Sequence, residues 1–133
     1  MLFRSLHLIT CKELTALPES VGNLGALQTL KLKDCYELTA LPESVGKLGA
    51  LHTLDLEGCS NLTALPESVG NLGALCTLDL SRCTRLTALP AAITQLTRLD
   101  ERSRKQVEAI HKLLLCGALT ARLWSSGVAA PVS

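Results

Sequence analysis

The chain has 133 residues, 47% hydrophobic and 19% charged, a balance that excludes a disordered or polar-tail class and calls for a buried core. Thirty leucines stand beside one Phe, one Trp, one Tyr and one Met, so that core is almost wholly aliphatic and little aromatic surface exists for stacking bases. Thirteen Lys and Arg against twelve Asp and Glu leave a formal charge of +1, which argues against a phosphate-tracking groove and against a nucleic-acid partner.

A period of 24 residues organises the chain before any local propensity does. Residues 3–13 (FRSLHLITCKE) fit the second half of a unit. Residues 14–37, 38–61 and 62–85 are full units, each beginning LTALPESVG, and residues 86–99 (LTALPAAITQLTRL) supply a first half. Seventeen of the twenty-four columns are identical in the three full units, so exchanging one unit for the next keeps nearly every leucine, and register slips between repeats are energetically close.

In chain order, Phe3, Leu6 and Leu8 predict a first strand with no cap before it, which leaves an open row of backbone groups and an exposed leucine layer. Two expectations follow: the chain is a fragment of a longer repeat domain, or the uncapped N-terminal strand self-associates or is covered by a partner. Pro18, Pro42 and Pro66 sit where a first helical turn begins, each followed by a Glu suited to a helix N-terminus. One or two turns of helix or 3₁₀ are expected there, weakened by Gly22, Gly25 and their copies. In Thr29-Leu30-Lys31-Leu32-Lys33, and again from Thr53 and Thr77, leucine alternates with polar residues, the period-2 pattern of a strand with one buried face. One unit cannot bury its own leucine face, so neighbouring units must close over each other in a stack of parallel strands.

After Leu99 the chain turns charged. Ser103-Arg104-Lys105-Gln106 has the layout of a capping box, which predicts a helix starting there. Val107, Ile110 and Leu114 share one face, with Leu113 beside it, and Gly117 is placed to end the segment, so residues 100–124 read as a C-terminal capping region and residues 125–133 as a flexible tail. The longest strongly apolar stretch, Leu113 to Trp124, is too short to span a bilayer and contains Arg122, and no membrane association is expected.

Each unit contains LxxLxLxxC followed by xxLxxLPxxxxxL, and over residues 3–99 this resembles the leucine-rich repeat family. The 24-residue period, the LPxxxGxL stretch and Cys where many members have Asn are most similar to cytoplasmic repeats of plant disease-resistance receptors and intracellular Ras-linked scaffolds. The resemblance implies an α/β fold: a leucine-rich repeat solenoid, a short right-handed horseshoe segment with a parallel concave sheet, short helical or 3₁₀ convex segments and a C-terminal helical cap. It also implies an intracellular setting in immune sensing or signalling.

The columns that differ between full units are 23/47/71, 28/52/76, 31/55/79, 33/57/81, 34/58/82, 36/60/84 and 37/61/85, and all but the first lie on or just after the strand. Glu19, Ser20 and Ala26, read as exposed positions of the return segment, do not change. That contrast marks the sheet face as a recognition surface for a protein or peptide, with Gln28, Lys31, Lys33, Asp34, His52, Asp55, Glu57, Cys76, Asp79, Ser81 and Arg82 as its contact residues. Arg4, His7, Lys31 and Lys33 lie toward the first units and Asp55, Glu57 and Asp79 toward the later ones, with Arg82 and Arg85 at the exit edge, a surface of both signs suited to a partner of complementary charge. The alternative is a structural segment of a larger solenoid with its binding face elsewhere.

Six cysteines follow no secretory signal layout, which reads as reduced thiols in cytosol. Cys11, Cys35, Cys59 and Cys83 repeat every 24 residues, and a linear ladder does not converge on one ion as structural zinc requires, so buried, inert thiols and no metal are expected. His52 and Cys76 share a column, the minimum for a thiol enzyme, but no oxyanion donor or deep pocket accompanies them, and a non-enzymatic module is the expectation. Gly46-Lys47 lacks the upstream glycine spacing and the following Ser or Thr of a phosphate-binding loop, and no cofactor is expected.

Overall fold

The leucine–polar alternation forms strands. In the computed structural model, which describes residues 4–115, β1 (Ser5–His7), β2 (Thr29–Lys31), β3 (Thr53–Asp55) and β4 (Thr77–Asp79) lie side by side in one parallel sheet, in chain order. The register advances one repeat per strand, so Leu6, Leu30, Leu54 and Leu78 form a row across the sheet. Pairing continues past the strand ends: Leu8, Leu32 and Leu56 donate their N–H groups to Lys31, Asp55 and Asp79 at 2.8, 2.8 and 2.9 Å. A thinner ladder ties the LTALP segments together, with Thr39, Thr63 and Thr87 donating to the threonine carbonyl one repeat earlier. The roles expected of Phe3, Gly117 and the tail lie outside the described residues.

Each return segment contains one 3₁₀ turn, at Glu19–Asn23, Glu43–Lys47, Glu67–Asn71 and Ala91–Gln95. The prolines stand one position before these turns, not in them. Pro18, Pro42, Pro66 and Pro90 hold extended backbone, φ −66 to −71°, and their carbonyls accept the N–H three residues on at 3.0–3.1 Å. Proline serves here because its ring fixes that φ and its carbonyl remains available.

The glycine in each LPESVG segment has a packing cause. A Cβ on Gly22 would lie 2.6 Å from the Ser44 carbonyl oxygen, one on Gly46 2.6 Å from Ser68 Cβ, and one on Gly70 2.5 Å from Ala92 Cβ, so successive units touch there at backbone distance. The serine column belongs to the same seam. Ser44 Oγ donates to the Glu19 carbonyl and Ser68 Oγ to the Glu43 carbonyl, both at 2.7 Å, and Ser44 is buried. The expectation that this column is simply exposed holds for Ser20 alone, because no described unit precedes it. Invariance of that serine column therefore has a structural cause.

Leu30, Leu32, Leu38, Leu48, Leu51, Leu54, Leu56, Leu62, Leu72 and Leu75 are all sealed from solvent, each burial contributing about 1.5–3 kcal/mol. Leu6, Leu8 and Leu14 in the first unit are only partly covered.

At the other end, α1 (Glu101–Leu115) closes the stack with Val107 and Ile110 buried and Leu114 packed against the core. Its N-cap is Asp100, not Ser103: Asp100 Oδ1 accepts the Ser103 N–H at 2.8 Å, and the Asp100 carbonyl accepts the Arg104 N–H at 2.9 Å. Ser103 and Gln106 do not form a capping box. Ser103 Oγ accepts the Leu78 N–H at 3.0 Å and Gln106 Oε1 accepts the Leu80 N–H at 2.7 Å, so these side chains stand where a fifth strand would have put its carbonyls. The edge of β4 is covered by polar atoms of a helix.

Candidate functional site

Leu30, Leu54 and Leu78 turn into the core, which places the residues beside them on the open face of the sheet. That face consists of rows running across the strands. Arg4, Gln28, His52 and Cys76 form a line just before the strands, the N–H groups of Gln28, His52 and Cys76 each donating to the carbonyl one repeat earlier at 2.7–2.8 Å and Asp100 continuing it, and Ser5, Thr29, Thr53 and Thr77 form the first row within them. His7, Lys31, Asp55 and Asp79 form the next, in strict register. Ile9, Lys33, Glu57 and Ser81 follow, two residues on.

Behind them comes a column of left-handed backbone: Thr10, Asp34, Gly58 and Arg82 have φ of 59, 60, 80 and 60°. Left-handed backbone is strained for side chains other than Gly, Asn or Asp. At Gly58 the space of a Cβ is already filled by the Asp34 carboxylate. Arg82 spans this gap to meet the unit before: its guanidinium lies 2.8 Å from Glu57 and 3.8 Å from Asp34, and Lys33 stands 3.6 Å from the other Glu57 oxygen. Arg82 is thus not a free charge at the exit edge. The structure joins Lys33, Asp34, Glu57 and Arg82 into one largely self-neutralised group, because Arg82 is long enough to reach back and Gly58 offers no side chain in its way.

The acidic row behaves differently. Asp55 Oδ1 accepts the Glu57 N–H at 3.0 Å and Asp79 Oδ1 accepts the Ser81 N–H at 2.9 Å, local turns that fix both carboxylates while leaving each a second oxygen. Oxygens of Asp55, Glu57 and Asp79 come within 4.8 Å of one another. Burial, joined by the neighbouring Asp79 and Glu57 charges, raises the Asp55 carboxyl above its ordinary value, although the Glu57 N–H and Lys33 act the other way. The chemical capacity of such a group is to attract positive charge.

Ser81 is held by α1, its Oγ accepting from Gln106 Nε2 at 2.9 Å. His52 and Cys76 do not bond to each other. His52 Nδ1 lies 2.8 Å from the Ala50 carbonyl and Cys76 Sγ 3.4 Å from the Ala74 carbonyl, each satisfied by its own turn. Beside β4, Thr77, Asp79, Asp100, Ser103 and Gln106 line a hollow of about 100 Å³. The hydrogen bonds from Ser103 Nα and Oγ, with a further one from Thr77, hold the Asp100 carboxyl below its ordinary value.

The cysteine ladder lies beneath the sheet. Cys35, Cys59 and Cys83 are buried, and each thiol donates to a carbonyl of the preceding unit, at 2.7 Å to Leu8, 3.1 Å to Leu32 and 3.1 Å to Leu56. Burial raises all three thiols, Cys59 up to about 12. Among the described residues every cysteine is free of disulfides.

Sequence reasoning missed Gly58, Ser103 and Gln106 as architects of this face. Gly58 left a signal, being the one glycine in a column that also holds Asp34 and Arg82. Ser103 and Gln106 left none, since their letters fit a capping box equally well.

A model of the Leucine Rich Repeat family matches residues 50–72. No curated protein matches the chain. Among solved structures, a leucine-rich repeat protein of Leptospira interrogans is 38% identical over 65% of the chain with a TM-score of 0.55. The leucine-rich repeat domain of the type III effector XCV3220 (XopL) is 32% identical over 77% with a TM-score of 0.67. The plant peptide hormone receptor RGFR1, solved in complex with RGF2, is 35% identical over 63% with a TM-score of 0.55. The chain spans only 21, 36 and 14% of the lengths of these three. Among the described residues no helix is long and apolar enough to cross a membrane. With the 24-residue period, the parallel sheet, the 3₁₀ returns and these matches in agreement, the chain belongs to the leucine-rich repeat family and folds as its solenoid.

Proposed function

We propose that this solenoid is a non-enzymatic interaction module that binds a protein or peptide on its concave sheet face, through the rows that hold Gln28, His52 and Cys76 and Lys31, Asp55 and Asp79. The observation that carries this reading is the row His7, Lys31, Asp55 and Asp79: a register-locked line of both charges, half-exposed or exposed, over a core of sealed leucines. A fold whose hydrophobic core lies beneath the sheet leaves that face open to recognition. The complex of the RGFR1 receptor with RGF2 is a precedent in a similar structure. Lys33, Asp34, Glu57 and Arg82 hold the face in shape, and Ser81 seats the cap.

An intracellular setting in immune sensing or signalling, of the cytoplasmic 24-residue type, is part of the same proposal. Its support is the resemblance together with the ladder of buried, carbonyl-bonded thiols, which needs no oxidising compartment.

Peptides selected by display on the folded chain provide the test. Protection from hydrogen exchange over β1–β4 on binding supports the reading, and protection confined to the 3₁₀ side overturns it.

A further inference from the structure

The charged rows of the sheet face are not equally available. Lys33, Glu57, Asp34 and Arg82 answer one another at 2.8–3.8 Å. Ser81 is engaged by Gln106. Among the described residues, by contrast, His7, Lys31, Asp55 and Asp79 form no ion pair, although the register sets them side by side. Within that row the sign changes once, between Lys31 and Asp55.

We propose that the segment recognised here is an extended peptide carrying a basic and an acidic side chain two residues apart, the basic one seated between Asp55 and Asp79 and the acidic one over Lys31. This rests on the concave face being the interaction surface. The spacing follows from strand geometry. Neighbouring strands lie about 4.8 Å apart, so the point midway between Asp55 and Asp79 is one and a half spacings, about 7 Å, from Lys31. Side chains i and i+2 of an extended chain project on one side about 6.6–6.8 Å apart. Neighbours one turn apart on a helix are closer, about 5–6 Å.

The anchoring is prepared in the free protein. One oxygen of each aspartate is fixed by its own turn N–H, so both second oxygens are held in place for a shared cation without reordering. The peptide crosses the strands, running along the solenoid, and meets Thr29, Thr53 and Thr77 on one flank.

A library of random twelve-residue peptides, displayed on phage and selected against the full chain, tests this. The expected result is enrichment of opposite charges at i and i+2. Affinity of a selected peptide should fall more than about tenfold in the double variant Asp55→Asn, Asp79→Asn, which keeps the turn acceptors and removes the charge. Selection against Lys31→Glu should replace the acidic position by a second basic one. Circular dichroism and urea midpoints on each variant confirm the fold. Peptides that protect β1–β4 from exchange yet lack the charge pair, or ignore the double variant, overturn this inference and leave the interaction face standing. Peptides that protect only other surfaces, or no selected peptide at all, overturn both.

Discussion

Arg82 reaches back one repeat, over Gly58, to place its guanidinium 2.8 Å from the Glu57 carboxylate. The bond is exposed at the arginine end, and its value lies in geometry more than in energy. It crosses a point where the backbone is left-handed and where the Asp34 carboxylate fills the space of a missing side chain.

Gly58→Ala should therefore cost more than loss of the arginine. The substitution asks alanine to adopt φ of 80° and displaces Asp34, a penalty of about 1–3 kcal/mol. Arg82→Ala removes an exposed pair worth less than about 1 kcal/mol. Urea unfolding of both variants checks the order, and an Arg82 variant as unstable as the glycine variant would contradict it.

Two glycines of one return segment should respond with opposite sign. Gly46→Ala drives a Cβ to 2.6 Å from Ser68 and should destabilise by about 1–3 kcal/mol. Gly49→Ala meets nothing within 4 Å and needs no left-handed backbone, so it should be neutral or stabilise by about 0.4–1 kcal/mol through the unfolded chain. Thermal unfolding of the pair provides the comparison.

At the cap, Ser103→Ala leaves the buried Leu78 N–H without its acceptor and should cost about 1–3 kcal/mol, whereas Arg102→Ala, on the exposed side, should change little. Amide exchange at Leu78 should quicken in the serine variant, and at Leu80 in Gln106→Ala.

Thiol chemistry should divide the cysteines by burial. At pH 8 an alkylating reagent should modify Cys11 and Cys76 while Cys35, Cys59 and Cys83 wait for unfolding, as peptide mass mapping would record. Cys59 also sets a direction with pH. Its thiol ionises near 9 when unfolded and is pushed up to about 12 when folded, so the folded state keeps a proton that the unfolded state releases. That contribution is intact below pH 9 and is lost as pH rises from 9 toward 12, and the urea midpoint should fall across that range.

The strands, the 3₁₀ returns and the buried leucine columns were legible because each is written four times, and repetition turns a weak local pattern into a strong one. What depended on contact between units was not. Ser20 and Ser44 are the same letter in the same column, and only stacking makes the second a buried donor to Glu19. Arg82 looked like an edge charge because sequence places its Cα, while a long side chain decides where the charge goes. The start of α1 was misplaced by three residues because Asp100 and Ser103 both suit an N-cap, and Ser103 was drawn instead to the strand edge. The row of Lys31, Asp55 and Asp79 was visible, since register follows from the period; that the neighbouring Lys33, Asp34, Glu57 and Arg82 pair among themselves and leave it without an ion pair among the described residues was not.

The contact between Gln106 and Ser81 bears on how the array counts its own length. The equivalent positions in the earlier units are Ile9, Lys33 and Glu57, so a helix seated one repeat too early would set the Gln106 amide against a glutamate or lysine of another shape and charge. Nearly every leucine would still find a hole after such a slip, and hydrophobic burial alone would tolerate it. The last unit thus carries a chemical label of its own, a serine where the earlier units hold Ile9, Lys33 and Glu57, and that label adds to the covalent position of the helix in telling this unit from its near-identical neighbours.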